Sequence, residues 1–188
     1  AVSGAVRTFS QLSDAQETLF TIAGVAVGLP VLSRIDGAEF YVSGGGRLTI
    51  PAATSYAHAG TGNDQHRYFQ ASGVGSRIEL PNLELVTGGT YHNNRIFIQA
   101  KSGGVVDVSK VRQIFDSSEG NMNYRSIDVL ADGTGSRVEL DALQSYSDQR
   151  AYDFGNGMYS TLAAQSGGVV DIPNLTSVRG VSLELDAT

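Results

Sequence analysis

The sequence predicts an all-β parallel solenoid, a short coil repeated along the chain, on three observations: a recurring unit, an excess of glycine, and apolar residues spaced two apart. The unit recurs as GGRLTIPAATSY, GSRIELPNLELV, GGVVDVSKVRQI, GSRVELDALQSY and GGVVDIPNLTSV. Each copy has a small-residue turn, a pair of apolar residues two apart, and a further apolar pair after a bend. Glycine supplies 23 of the 188 residues, well above the usual share of about seven per cent, which marks recurrent turns. Spacing two is the period of a strand, because successive side chains point to opposite faces.

The inward register has four positions per unit: Leu48, Ile50, Ala53 and Tyr56, then Ile78, Leu80, Leu83 and Val86, then Val106, Val108, Val111 and Ile114. Val138, Leu140, Leu143 and Tyr146, and finally Val170, Ile172, Leu175 and Val178, complete the clear copies. Val27, Leu29, Leu32 and Ile35 fit as a fainter copy, and Val6, Phe9 and Leu12 fit loosely, so about seven rungs are expected. A second apolar strand precedes each turn: Phe40 and Val42, Phe69 and Ala71, Ile96, Ile98 and Ala100, Ile127, Val129 and Ala131, Leu162 and Ala164. One such rung cannot bury its own inward row, so identical positions must stack at about 4.8 Å. Helix is expected only at an N-terminal cap around Ser13 to Glu17. The chain reads as one domain over residues 1–188, with 1–20 as cap and partial rung and 21–188 as regular rungs.

Composition excludes several function classes. The net charge is −6 and the pI near 4.9, which argues against a nucleic-acid backbone as partner. The absence of cysteine removes a disulfide framework, a thiolate metal site and a cysteine nucleophile together. No run approaches the roughly eighteen apolar residues of a membrane span, so no membrane partner is expected. The start at Ala1 suits either a trimmed mature protein or a module cut from a longer one, and both fit a secreted product linked to other domains.

The rungs lengthen after the bend, giving loops over 55–67, 87–95, 115–126 and 147–161 on one side of rungs three to six. Loops on a rigid scaffold are where binding residues concentrate. The expected ligand-binding residues there are Tyr91, His92, Asn93, Asn94, Arg95, Tyr124, Arg125, Tyr152, Phe154 and Tyr159. Amphipathic aromatics beside Asn, Asp and Arg suit a sugar, which has apolar faces and hydroxyl edges. A second candidate surface comes from alternation: with Val42, Ala71 and Ala100 inward, Tyr41, Tyr68 and Phe97 must point outward on successive rungs. Tyr68 and Phe97 share a register position, and Tyr41 is offset by two residues.

Catalytic chemistry has little to rest on. Thr49, Glu79, Asp107, Glu139 and Asp171 form an outward column whose like charges need compensation, which Arg77 and Arg137 can supply. Paired carboxylates would suit a glycosidase or lyase, but a column recurring once per rung fits a compensated charge ladder better. His58, His66 and His92 lack helical ligand spacing and are expected as surface loop residues rather than ligands. No cofactor is expected, and the one segment with some likeness to a calcium turn, Asp132-Gly133-Thr134-Gly135, is better explained as a glycine corner.

The GSRIELPNL and GGVVDIPNL units resemble those of right-handed parallel β-helices in secreted bacterial carbohydrate-active proteins, including β-helical carbohydrate-binding modules attached to glycoside hydrolases. The resemblance covers about residues 20 to 188 and implies a right-handed coil and a polysaccharide partner of plant or algal cell-wall type. It carries no binding motif over residue by residue. A non-catalytic binding module is therefore expected. A small polysaccharide lyase or hydrolase, and a structural or adhesive segment of a surface protein, are the alternatives.

Overall fold

A computed structural model of the chain describes residues 7–149 and 159–186. All of its regular structure is strand, arranged in three parallel sheets that stack as a β-solenoid. The turn sheet contains β1 (Arg7–Thr8), β3 (Ala26–Gly28), β5 (Arg47–Thr49), β8 (Arg77–Glu79), β11 (Val105–Asp107), β14 (Arg137–Glu139) and β17 (Val169–Asp171). The long sheet contains β2 (Leu19–Ala23), β4 (Glu39–Ser43), β7 (His66–Ser72), β10 (Arg95–Lys101), β13 (Ser126–Asp132), β16 (Ser160–Gln165) and β19 (Val181–Leu185). The loop sheet contains β6 (Ser55–Ala57), β9 (Leu85–Thr87), β12 (Gln113–Asp116), β15 (Ser145–Asp148) and β18 (Ser177–Arg179).

The register follows the sequence repeat. Leu48, Ile78, Val106, Val138 and Val170 are successive partners in the turn sheet, and Val42, Ala71, Ala100 and Ala131 in the long sheet. From Leu29 through Tyr146 the four inward positions of each rung are fully or almost fully buried. Phe20, Phe40 and Phe69 continue the core as an aromatic stack, with neighbouring ring centroids 5.5 and 5.0 Å apart. Tyr56 enters the same core edge-on, 4.7 Å from Phe69, and donates its hydroxyl proton to the Ala38 carbonyl at 2.9 Å.

Left-handed residues make the corners. Glu17, Gly37, Asp64, Asn93 and Tyr124 each stand two residues before a long-sheet strand with φ between 52° and 69°. From β7 onward the opposite corner alternates between Gly-x-Gly-Ser and Ser-Gly-Gly turns. Ser76 accepts from the Gly45 N–H at 3.1 Å, and Ser136 accepts from the Gly103 N–H at 2.9 Å. A side chain at Gly104 would meet the Ala71 carbonyl of the rung above, so glycine is required there.

Two expectations are corrected. No helix forms at Ser13 to Glu17: Asp14 bridges to Arg34 in parallel, and the Ala15 and Glu17 N–H groups donate to Arg34 and Asp36 of the next rung, both at 2.9 Å. Those donors serve stacking and leave none for a helical turn. The loop expected from Ser55 begins instead with a strand, and its counterparts form the whole loop sheet. Four of these strands bury only one apolar side chain each, Tyr56, Val86, Ile114 or Tyr146, and β18 buries none, which is too short a row to alternate visibly.

The ladders predict a cooperative loss on charging the core. Val108 and Leu80 are fully buried in adjacent rungs, so Val108→Asp or Leu80→Asp should cost several kcal/mol, on the order of 3 or more. Thermal melting followed by circular dichroism measures it, and a parent-like melting temperature would contradict the register.

Candidate functional site

Two surfaces hold the sequence-predicted binding residues. On the outer face of the long sheet, Tyr68 and Phe97 are register partners, and Tyr41 pairs with Gln70, which puts it diagonally from Tyr68. The rings of Tyr68 and Phe97 lie 4.7 Å apart at 14°, and Tyr41 lies 5.4 Å from Tyr68 at 33°. Neighbours on both adjoining strands thus occupy the faces of Tyr68. Phe97 also has the Arg95 guanidinium 4.5 Å over its ring and the His66 ring nearly perpendicular to it, with centroids 5.7 Å apart. Arg95 is held there by Ser126 and Asp128, each at 2.8 Å. These rings stack on one another rather than offering their faces to a ligand, and all three are partly buried.

The second surface is the corner where the loop sheet passes into the long sheet. Its loops are tied rung to rung: the Asp64 N–H donates to the His92 carbonyl at 2.9 Å, the Asn93 N–H to Asn123 at 2.8 Å, and the Asn121 N–H to Thr90 at 2.8 Å. The Asn93 side-chain amide donates to Asp64 Oδ1 at 2.9 Å. His92 Nδ1 lies 3.6 Å from the same oxygen. The His92 ring meets Tyr124 edge-on at 5.3 Å. Tyr91 and Tyr124 are each 42% exposed, the only exposed tyrosines among the described residues.

Beneath this corner the polar residues turn inward. Arg125 is fully buried, lies 3.0 Å from Asp116, and donates to the Glu119 carbonyl at 2.6 Å and to the Ser117 carbonyl. Asn94 is buried as well, its Oδ1 accepting from the Gln65 N–H at 3.3 Å. Arg125 and Asn94, expected as ligand contacts, therefore hold the loops from inside. Asp148 pairs in register with Asp116 and accepts from the Ser160 N–H and hydroxyl. Gly88 makes room for Asp116, since any side chain there would overlap its carboxylate. Tyr159 stands half-buried just before β16, and Tyr152 and Phe154 lie outside the described residues.

His58 also differs from the expected surface histidine. It is fully buried; Nε2 donates to the Gln65 carbonyl at 2.8 Å and Nδ1 accepts from the Gly60 N–H at 3.1 Å. Burial lowers its pKa to about 4, and a proton on Nδ1 would confront the Gly60 donor. With both nitrogens engaged it pins the loop that ends in Asp64. Among the described residues no group of His, Asp and Glu side chains converges to hold a metal. Asp132 to Gly135 forms one of the glycine corners, with Gly133 and Gly135 both at positive φ.

The carboxylate column on the turn sheet is an ion-pair network. Arg77 reaches Glu79 at 2.8 Å, Asp107 at 3.0 Å and Glu139 at 2.7 Å, while Arg47 grips both oxygens of Glu79 and Arg137 takes Asp171 at 2.7 Å. Partial burial pushes the Glu79 carboxyl upward, but the hydrogen bonds from Arg47 and Thr49 outweigh it and hold the pKa below the ordinary value. Acid catalysis needs a carboxyl poised near neutrality, and Glu79 is shifted the other way.

No protein-family model, curated protein or solved structure matches the chain. Among the described residues no helix is long and apolar enough to cross a membrane.

Two outcomes are expected. The folded chain keeps His58 neutral below the ordinary histidine pKa, so its contribution to stability is whole above pH 6.5 and is lost as pH falls from 6.5 toward 4. The melting temperature should drop across that window in the parent and by less in His58→Gln; equal slopes would contradict the assignment. In the ladder, Arg77→Met strips the cation from three carboxylates and should cost about 1–3 kcal/mol in urea denaturation. Arg137→Met, which loses one partner, should cost less.

Proposed function

We propose that the chain is a non-catalytic polysaccharide-binding module whose loop corner engages sugar chains through Tyr91 and Tyr124. The observation that carries this reading is the exposure of those two rings on adjacent, mutually bonded loops, with Asp64, His92 and Asn93 beside them. An exposed tyrosine offers an apolar face to the C–H side of a pyranose and a hydroxyl to its edge. The neighbouring carboxylate, imidazole and amide supply acceptors and donors for sugar hydroxyls. Loops fixed from within by Arg125, Asn94 and His58 lose little freedom on binding, which favours affinity.

In this reading the solenoid is a right-handed coil of about seven rungs and a single domain, secreted, joined to other domains of a carbohydrate-active protein, and without a cofactor. The outward stripe of Tyr41, Tyr68 and Phe97 is a secondary surface at most, because its rings stack on each other. The lyase or hydrolase reading finds no support in the turn-sheet carboxylates, which are tied up by arginine. A structural or adhesive role is the second reading, favoured by Leu183 and Leu185 of β19, exposed at 55% and 74%.

Affinity electrophoresis on plant and algal polysaccharides tests the binding reading. A ring stacked on a ligand contributes on the order of 1 kcal/mol or more, so Tyr91→Ala and Tyr124→Ala should each weaken retention several-fold. Circular dichroism should show both variants folded. Parent-like retention by both folded variants would remove the loop corner as the site.

A further inference from the structure

Among the described residues, the outward charges of the loop corner have one sign. The Asp64 side chain stands 65% exposed, with Oδ1 shared by Asn93 and His92. Glu119 is exposed on the loop that bonds to Thr90. The arginines at the foot of these loops are committed elsewhere: Arg67 lies 3.8 Å from Glu39, Arg95 2.8 Å from Asp128, and Arg125 is buried against Asp116. The described loop residues 58–65, 88–94 and 117–125 contain no lysine, and Arg125 is their one arginine. Among the described residues, a carboxylate or sulfate brought to Tyr91 and Tyr124 would thus approach Asp64 with no free guanidinium or ammonium to receive it.

Resting on the sugar-binding reading above, we propose that this corner takes uncharged sugar chains and turns away polyanionic ones, with Asp64 as the specificity-determining residue. Two like charges about 6 Å apart weaken binding by roughly threefold in bulk water and about a hundredfold at the dielectric of a protein surface. Specificity then comes from a repulsive element as much as from an attractive one. Asp64 is suited to the part because its backbone is left-handed, φ 59°, a conformation that Asn tolerates equally well. Asp64→Asn keeps an acceptor oxygen for Asn93 and removes only the charge.

Isothermal titration calorimetry of the full chain tests the proposal, with neutral oligomers of xylose, glucose and mannose set against oligomers of galacturonate. In the parent at low salt, the best neutral oligomer should bind at least about fivefold more tightly than galacturonate. The ratio should shrink several-fold in Asp64→Asn, and in the parent at high salt, where exposed charges are screened. Galacturonate bound as tightly as the neutral oligomers by the parent would overturn the proposal while leaving the sugar-binding reading in place. An unchanged ratio in a folded Asp64→Asn would overturn the role of Asp64. Binding of none of the oligomers would bring down the sugar-binding reading, and this inference with it.

Discussion

Parallel stacking in register is the constraint on which everything else in this protein depends. A single rung offers one row of inward side chains and one row of backbone donors and acceptors, and neither can be satisfied within the rung. Both are satisfied at once when the next rung repeats the same positions, as in the unbroken rows through Leu48, Ile78, Val106 and Val138. The same demand dictates the corners. A chain that must turn at a fixed place in each rung needs a left-handed residue there, and Glu17, Gly37, Asp64, Asn93 and Tyr124 fill one such column. Stacking also sets the cost of surface charge: carboxylates that recur once per rung would repel at strand spacing, and Arg47, Arg77 and Arg137 bind them across rungs instead.

Length variation is tolerated only where it does not break the stack, which is why the added residues leave from the junction of loop sheet and long sheet. There the backbone cannot continue the ladders, and buried side chains take over. Arg125 serves two backbone carbonyls and pairs with Asp116, Asn94 accepts from Gln65, and His58 closes its own loop through both ring nitrogens. A buried ion pair gives weak net stability, but it fixes one conformation because either partner alone would be costly. Tyr91 and Tyr124 are carried on loops fixed in this way, so their exposure is a property of a defined surface.

The sequence made the ladders legible because inward and outward residues alternate over enough positions in the turn and long sheets for period two to emerge. It hid the loop sheet because each of those strands buries at most one apolar side chain, and a single position has no period. The helix expected at Ser13 to Glu17 failed for a related reason, since local composition there is overruled by donors spent on the next rung. At the loop corner, Tyr91 and Tyr124 were readable as loop aromatics, whereas the burial of Asn94, Arg125 and His58 was not. Polar residues in a loop carry no mark of direction, and the one available signal was a run of glycines, Gly60, Gly62, Gly88 and Gly89. Of these, Gly88 and Gly89 clear space for Asp116 and for Asn94 and His58, respectively.

The contrast between the two aromatic surfaces follows from how each is held. On the long sheet, outward side chains sit at strand spacing, so flat rings on neighbouring rungs come within stacking distance and bury their faces in one another, as Tyr68 and Phe97 do. That contact supports the sheet and consumes the surface a ligand would need. At the loop corner the tyrosines are out of step: Tyr91 stands two residues before the corner position held by Asn93, while Tyr124 occupies that position itself. Tyr124 therefore packs at a steep angle to His92 instead of flat on another tyrosine, and both tyrosine rings keep area open to solvent. A rigid repeat satisfies its own surface wherever its side chains are in register, and it leaves binding surface where the register is broken.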